Sequence, residues 1–393
     1  MKFNKKKYLS VAILSVFAGQ TFAAGLERSP QQIDALFESG TYAEMSYAHI
    51  SPDVQGTDAS GNHVSDFAED FQTMGYAVKT DLSPSLRLAV IYDEPYGAKV
   101  KFEGENNFIA TNLPASDAHT RVEVKSKNLT TLLGYNLNKN FMLYGGPALQ
   151  ELDVDVHLRG LTYQASSGYN NSFDDMAVGW VAGMSYAKPE LGVLASLTYR
   201  SEIEHKTTIK EDVPLADLVG FDYSHSNKGS ITTPESVNLN LQTGLNQTTA
   251  LFAKVRWVPW GDFAYYPPVL KGVTAQLGAA GGKGLPLLNY HGDQTAVELG
   301  VGKRLSPKLA MSVSGLWDSG AGAPAPTLGP VEGYWGVGLA AKYNFNQNVA
   351  FSLGGRYMWF GDVEGEVSDG RIVGNFKDNN GYIVGMKLSY ASK

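Results

Sequence analysis

Short polar turns recur along this chain, and the excursions between them are long. The turns read Thr80-Asp81-Leu82-Ser83-Pro84, Tyr135-Asn136-Leu137-Asn138-Lys139-Asn140, Ala187-Lys188-Pro189-Glu190, Asn246-Gln247-Thr248-Thr249, Leu305-Ser306-Pro307-Lys308 and Asn344-Phe345-Asn346-Gln347-Asn348. The intervening excursions are rich in Gly, Ser, Asp and Asn. Strands joined by short turns on one side and long loops on the other form a hairpin stack with two unlike ends, the mark of an outer-membrane β-barrel. Such a barrel moves something across a membrane or displays something on it.

The amino-terminal stretch does not belong to that pattern. Lys2, Lys5, Lys6 and Lys7 precede the apolar run Val11-Ala12-Ile13-Leu14-Ser15-Val16-Phe17-Ala18, and Thr21-Phe22-Ala23 offers small side chains at a cleavage site. Residues 1–23 therefore read as a secretory signal peptide, too short in its apolar core to span a bilayer. No later segment supplies the roughly eighteen continuous apolar residues of a transmembrane helix. A hydrophobic content of 43% and a mean hydropathy of −0.18 do not oppose a barrel, because its lipid-facing residues alternate with polar ones and vanish in the average. The absence of cysteine excludes a disulfide scaffold and thiolate-bound metal. A net charge of −7 excludes nucleic acid as a partner. Nothing in the chain calls for a cofactor.

Period-two alternation marks strands with two different faces. Leu152, Val154, Val156 and Leu158 interleave with Glu151, Asp153, Asp155 and His157, and Val237, Leu239 and Leu241 with Asn238, Asn240 and Gln242. Tyr382, Val384, Met386, Leu388 and Tyr390 are set against Gly385, Lys387 and Ser389. A soluble sandwich would alternate too, but the aromatic residues favour a membrane. With the short turns in the periplasm, Trp257, Trp260, Trp317, Trp335 and Trp359 fall at the outer strand ends. Tyr135, Phe141, Tyr186, Tyr343, Phe345 and Tyr390 fall at the inner ends, giving two interfacial bands. About fourteen strands are expected, near 41–50, 68–80, 84–93, 121–136, 140–158, 171–187, 190–206, 233–246, 248–260, 290–305, 306–319, 331–345, 347–363 and 379–390. The fold class is an all-β, antiparallel transmembrane barrel, residues 41–393, preceded by a short segment, residues 24–40.

Several segments together resemble the FadL/TodX family of outer-membrane transporters for long-chain fatty acids and other hydrophobic compounds. They are Tyr42-Ala43-Glu44-Met45-Ser46-Tyr47-Ala48-His49-Ile50-Ser51-Pro52-Asp53-Val54, Tyr92-Asp93-Glu94-Pro95-Tyr96-Gly97-Ala98, Thr233-Pro234-Glu235-Ser236-Val237-Asn238-Leu239 and Val255-Arg256-Trp257-Val258-Pro259-Trp260. The resemblance implies passive uptake along an apolar surface groove, into an apolar pocket, and out through the side of the barrel. It also implies an amino-terminal hatch with an Asn-Pro-Ala element. No Asn-Pro-Ala occurs here, so residues 24–40 are either a reduced hatch, with Ile33, Leu36 and Phe37 on one helix face, or a periplasmic tail. The strand end Tyr390-Ala391-Ser392-Lys393 departs from the aromatic carboxyl terminus through which barrel assembly machinery reads such proteins.

Candidate site residues follow from the transport reading. The loop 94–120 contains Phe102 and Phe108, and the loop 261–289 contains Phe263, Tyr265 and Leu287; these apolar loops either bind substrate or pack on each other to close the barrel top. An anionic head group needs a cation, ideally Arg. Lys254, Arg256 and Arg356 share the lumen-facing parity of their strands, with Arg304 and Lys387 as further possibilities and Glu202, Glu204 and Glu298 to balance them. Pro95 lacks a backbone donor and Gly97 a side chain, so strand pairing weakens there and a lateral opening is expected, with Phe37 as a gate residue on the amino-terminal segment. The seven histidines show no paired spacing and there is no Gly-x-Ser-x-Gly elbow, so an enzyme is not expected. The expected partners are hydrophobic small molecules such as fatty acids, outer-membrane lipid and lipopolysaccharide, and the assembly machinery, for a monomer in the outer membrane of a Gram-negative bacterium. A general diffusion porin or a structural or adhesive barrel is the alternative.

Overall fold

The computed structural model describes residues 26–31 and 33–392. The expected signal peptide, residues 1–23, lies outside the described residues. The barrel strands are β1 (Thr41–Asp53), β2 (Phe71–Asp81), β3 (Leu86–Asp93, resuming as Gly97–Lys101), β4 (Arg121–Asn136), β5 (Phe141–His157) and β6 (Asn170–Lys188). They continue with β7 (Val193–Arg200, then Ile203–Asp212), β8 (Ser226–Thr233, then Ser236–Gly244), β9 (Thr249–Val258) and β10 (Gln294–Arg304). The last four are β11 (Leu309–Asp318), β12 (Glu332–Asn344), β13 (Val349–Gly361) and β14 (Asn380–Ser392). Each pairs antiparallel with its neighbours, and β14 pairs with β1 from Ser392 opposite Thr41 to Asn380 opposite Asp53, closing a barrel of 14 strands. Closure removes every edge, which is what allows a sheet to sit in lipid.

Four of the short turns share one device. Asn138 Oδ1 accepts from the backbone N–H of Asn140 and Phe141, and Asn346 Oδ1 from Asn348 and Val349, all within 2.8–3.0 Å. Asn246 and Ser306 do the same for Thr248 and for Lys308 and Leu309. A short polar side chain that replaces a backbone acceptor is the chemistry of a tight turn.

The outer surface changes character in one step. On β4 and β5, Leu129 lies opposite Leu149 and both face outward; the next outward pair is Lys127 opposite Glu151, joined at 2.8 Å. Below this line the outward residues are apolar and exposed, among them Leu339 and Trp335 at 63% and 67%. An apolar belt of that extent on a monomer requires a non-aqueous surrounding. Above it, Glu123, Lys125, Asp153 and Asp155 face out, while Val122, Val124, Leu152, Val154 and Val156 turn inward and are buried. The alternation at 151–158 is thus a strand standing above the lipid with its apolar face toward the lumen.

The loops close this raised rim. A small sheet joins Gly56–Asp58, His63–Val64, Ala325–Pro326, Val363–Glu366 and Ile372–Phe376 from three different loops. Helix α1 (Pro214–Val219) caps the β7–β8 connection, and α2 (Pro268–Gln276) lies in the loop after β9 with Val269, Leu270 and Val273 buried. Residues 26–31 and 33–40 run inside the barrel and include one turn of 3₁₀ helix, Asp34–Phe37. Ile33 and Leu36 are buried there, and Phe37 packs edge-on against Tyr144 of β5 at 5.8 Å.

Two expectations are corrected. Trp260 does not join the outer aromatic band: it is 1% exposed and packs edge-on against Phe263 and Tyr290 beneath the loops. β7 runs to Asp212 and β8 begins at Ser226, beyond the expected limits 190–206 and 233–246, because both strands break, near 201–202 and 234–235, and then resume in the same mutual register. The side chains change face across each break. Glu204 consequently points outward, pairs with Lys206 at 2.7 Å and balances no lumen cation.

Candidate functional site

Beneath the capping loops lies an apolar cavity with a free volume of about 30 Å³. Its walls come from the raised parts of β4 and β5 (Val122, Val124, Leu152, Val154, Val156), from the loop after β9 (Trp260, Phe263, Tyr265, Leu287) and from Tyr96 at the break in β3. The few polar atoms in its lining are already engaged. Trp260 Nε1 donates to Gln294 at 2.9 Å, Tyr265 Oη to Asn171 at 3.1 Å, Tyr96 Oη to the Pro234 carbonyl at 3.4 Å and Thr233 Oγ1 to Gln150 at 2.7 Å. A surface cleft of about 70 Å³, bounded by Tyr163, Leu270, Thr274 and Arg371, shares Leu287, Leu288 and Leu328 with it. Those three side chains border both spaces.

The cleft is roofed by α2, whose amino-terminal N–H groups are met by a side chain from the barrel. Glu211 near the end of β7 accepts from Val269 N at 2.9 Å and Leu270 N at 3.1 Å, and from Tyr169 Oη at 3.1 Å. Burial raises this carboxyl above the usual carboxylate range, opposed by those three hydrogen bonds.

The floor of the cavity is the amino-terminal segment. Leu26 lines the cavity, and the next residue, Glu27, forms a buried ion pair with Arg256 of β9: its carboxylate accepts from Arg256 Nε at 2.8 and 3.1 Å and also from Nη2. Asn238 Oδ1 accepts from Arg256 Nη1 at 2.9 Å, and Asn238 Nδ2 donates to the Pro30 carbonyl at 2.9 Å. Arg200 of β7 donates to the Gln31 carbonyl at 3.0 Å. Gln31 itself sits at φ 54°, a left-handed conformation that costs a residue with a side chain some strain. Below this floor the lumen is charged. Lys254, Glu298 and Arg356 surround a second cavity of about 40 Å³, with Arg356 on Glu298 at 2.9 Å, and Lys387 meets Glu44 at 3.0 Å.

The wall beside the cavity is interrupted. The β2–β3 ladder ends at Tyr76 opposite Tyr92, while β2 continues to Phe71 against β1 alone. On its other side β3 advances four residues, from Asp93 to Gly97, while β4 advances three, from Asn128 to Lys125. The extra residue is a β-bulge at Pro95, and it turns Gly97 outward. Residues 26–29 fill the vacated edge: Arg28 N and Ser29 N donate to the Pro95 carbonyl at 2.6 and 3.2 Å, and Gly97 N donates to the Leu26 carbonyl at 2.7 Å. The Arg28 guanidinium lies over the Phe71 ring at 3.9 Å, in the space a side chain on Gly97 would need. One short segment therefore forms the floor of the cavity and the filling of the wall.

The expected site residues fall in several separate places. Phe263, Tyr265 and Leu287 line the cavity. Phe102 and Phe108 stack on each other at 4.2 Å, and Phe102 on Phe67 at 4.5 Å, within the cap rather than on the cavity wall. Arg256 stands between the two cavities: it lines the lower, charged compartment with Lys254 and Arg356, and it is bonded to Glu27, the neighbour of the cavity residue Leu26. Pro95 and Gly97 mark the bulge, and Phe37 sits lower in the lumen against Tyr144. Arg304 reaches only the turn carbonyl of Gln247. Leu26, Glu27 and Arg28, which had not been singled out, hold the arrangement together.

The model of a family described as outer membrane protein transport protein (OMPP1/FadL/TodX) matches residues 12–391. Among solved structures, a Pseudomonas aeruginosa FadL homologue superposes with a TM-score of 0.71 at 13% identity, covering 95% of this chain and 97% of that one. The toluene transporter TodX of P. putida gives 0.62 at 12% identity over 90% of both chains, and the toluene transporter TbuX of Ralstonia pickettii 0.61 at 10% over 96% and 97%. No curated protein matches the chain in sequence.

Proposed function

The chain belongs to the OMPP1/FadL/TodX family of outer-membrane transport proteins, channels rather than enzymes, and from that premise we propose that it takes up hydrophobic molecules passively and releases them sideways into the bilayer. Long-chain fatty acids and small aromatic hydrocarbons of the toluene type are the two candidate cargoes. The observation that carries the reading is the placement of the apolar cavity beside the bulged wall of β3, with a charged shaft beneath it. An apolar molecule gains nothing by descending past Arg256, Lys254 and Glu298, since each step would exchange apolar contacts for desolvation of charge. The gap at Pro95 and Gly97, level with Lys125 at the foot of the raised rim, opens instead through the barrel wall beside the outer edge of the apolar belt.

The test is uptake by cells. A deletion strain supplied with the wild-type gene is expected to accumulate a neutral fluorescent naphthylamine and a fluorescent fatty acid analogue faster than the strain without it, for at least one of the two. Val124→Trp, which fills the cavity from the β4 wall, should abolish that gain while leaving the folded barrel intact by heat-modifiable electrophoretic mobility. Undiminished uptake by the Trp variant would remove the cavity from the path.

A further inference from the structure

We propose that Glu27 is a specificity-determining residue, a tethered carboxylate that occupies the anion position of Arg256 and reserves the apolar cavity for uncharged ligands. The inference rests on the reading of that cavity as the substrate pocket.

Two observations carry it. First, the cavity offers a carboxylate no donor of its own, because the indole N–H of Trp260 and the hydroxyls of Tyr96, Tyr265 and Thr233 all donate to protein acceptors. An ionised group buried without hydrogen bonds is strongly disfavoured, whereas a methyl, an ether or an aromatic ring is not. Second, the cation at the cavity floor is already matched. Arg256 presents its Nε and Nη2 to Glu27 and its Nη1 to Asn238, an arrangement in which both partners are almost wholly buried. The fork-to-fork pairing is the one a fatty acid head group would need.

From the apolar cavity, a free carboxylate would have to displace Glu27 from Arg256. The displaced glutamate would be left as a buried charge without its partner, which is the costly way to break such a pair. Glu27 is also held at the site by its chain. Its backbone bridges to Tyr96, a cavity residue, and the flanking residues are bonded to Pro95 and Gly97, so its effective concentration at Arg256 far exceeds that of a dilute ligand. The chain thus supplies internally the group that an anionic cargo would bring.

A matched pair of ligands tests this. Equilibrium dialysis of the detergent-solubilised full chain is run with radiolabelled dodecanol and dodecanoate at pH 8, where the acid is ionised. The wild type is expected to bind dodecanol, and dodecanoate about a hundredfold more weakly or not at all. Glu27→Gln keeps the shape of the side chain and removes its charge. It is expected to raise dodecanoate affinity about tenfold or more, a change of about 1.4 kcal/mol, with dodecanol binding unchanged. Adding Arg256→Gln to that variant should cancel the gain. Equal binding of acid and alcohol by the wild type would overturn the proposal without recourse to any variant, as would a Glu27→Gln protein that binds dodecanol but gains nothing for dodecanoate. Failure of the wild type to bind either ligand, or dodecanol binding that survives Val124→Trp, would instead bring down the assignment of the cavity, and this inference with it.

Discussion

Arg28 is an expensive residue to bury, and its Nε makes no hydrogen bond. It is held by the face of Phe71 and by the space left at Gly97. A side chain stationed in a wall by packing and a cation–π contact can leave without breaking a strong polar network. Arg28→Ala is accordingly expected to speed cellular entry of a neutral naphthylamine severalfold. Gly97→Leu placed in the Arg28→Ala protein should refill the gap with aliphatic bulk and return the rate to the wild-type value or below. The comparison is read from initial fluorescence rates at equal barrel abundance, and an Arg28→Ala protein no faster than wild type would leave the gap without a transport role. The break in the ladder between Asp93 and Gly97 falls where the sequence places Pro95 and Gly97, because a missing donor and a missing side chain are local properties. It could not mark Arg28 or Glu27. Glu27 and Arg256 are 229 residues apart, and no local pattern reports such a pairing. Phe102 and Phe108 stack on each other, and loop composition cannot tell an aromatic residue that binds cargo from one that stacks on its neighbour.

Among the elements, α2 is the one whose position responds to a titrating group. Glu211 caps its first N–H groups from a buried site above the lipid. With the folded-state value raised, the neutral form is favoured in the folded loop. That stabilising contribution is fully present below the ordinary carboxylate value and is lost as the pH rises through the raised value. Hydrogen exchange at Val269 and Leu270, corrected for intrinsic rates, should therefore show stronger protection at pH 5 than at pH 8, and Glu211→Gln should remove the difference. Equal protection at both pH values in the wild type would count against the cap as a pH-dependent hold. At this scale much was legible from sequence. Alternation and turn residues located the fourteen barrel strands but not the short strands of the cap, since period-two burial and Asn or Ser acceptors are local requirements. Which face points inward was not legible at Leu152 and Val154. An apolar set alternating with an acidic set reads the same whether the apolar side meets lipid or lumen, and only the charged partners across β4 settle it.

For the molecule as a whole, the amino-terminal segment is the partition between two compartments that the strands alone would leave joined. Among the described residues, the small cavities above and below it, about 30 and 40 Å³, share no lining residue. The wild-type protein in a planar bilayer is therefore expected to show no stable open level. A variant lacking residues 26–38 should show ohmic conductance, shaped by the charges of the lower shaft. Steady conductance in the wild type would contradict the sealed lumen. The partition also bears on how the molecule is built. Residues 26–31 are synthesised ahead of every strand, yet their anchors Arg200 and Arg256 lie 169 and 229 residues further on, and the cylinder exists only once β14 has met β1. Contacts of such separation form late. Biogenesis is then expected to end with a retrograde step, in which a stretch that precedes every strand is drawn back into a cylinder already complete, and each new copy to pass through an interval as an unpartitioned cylinder.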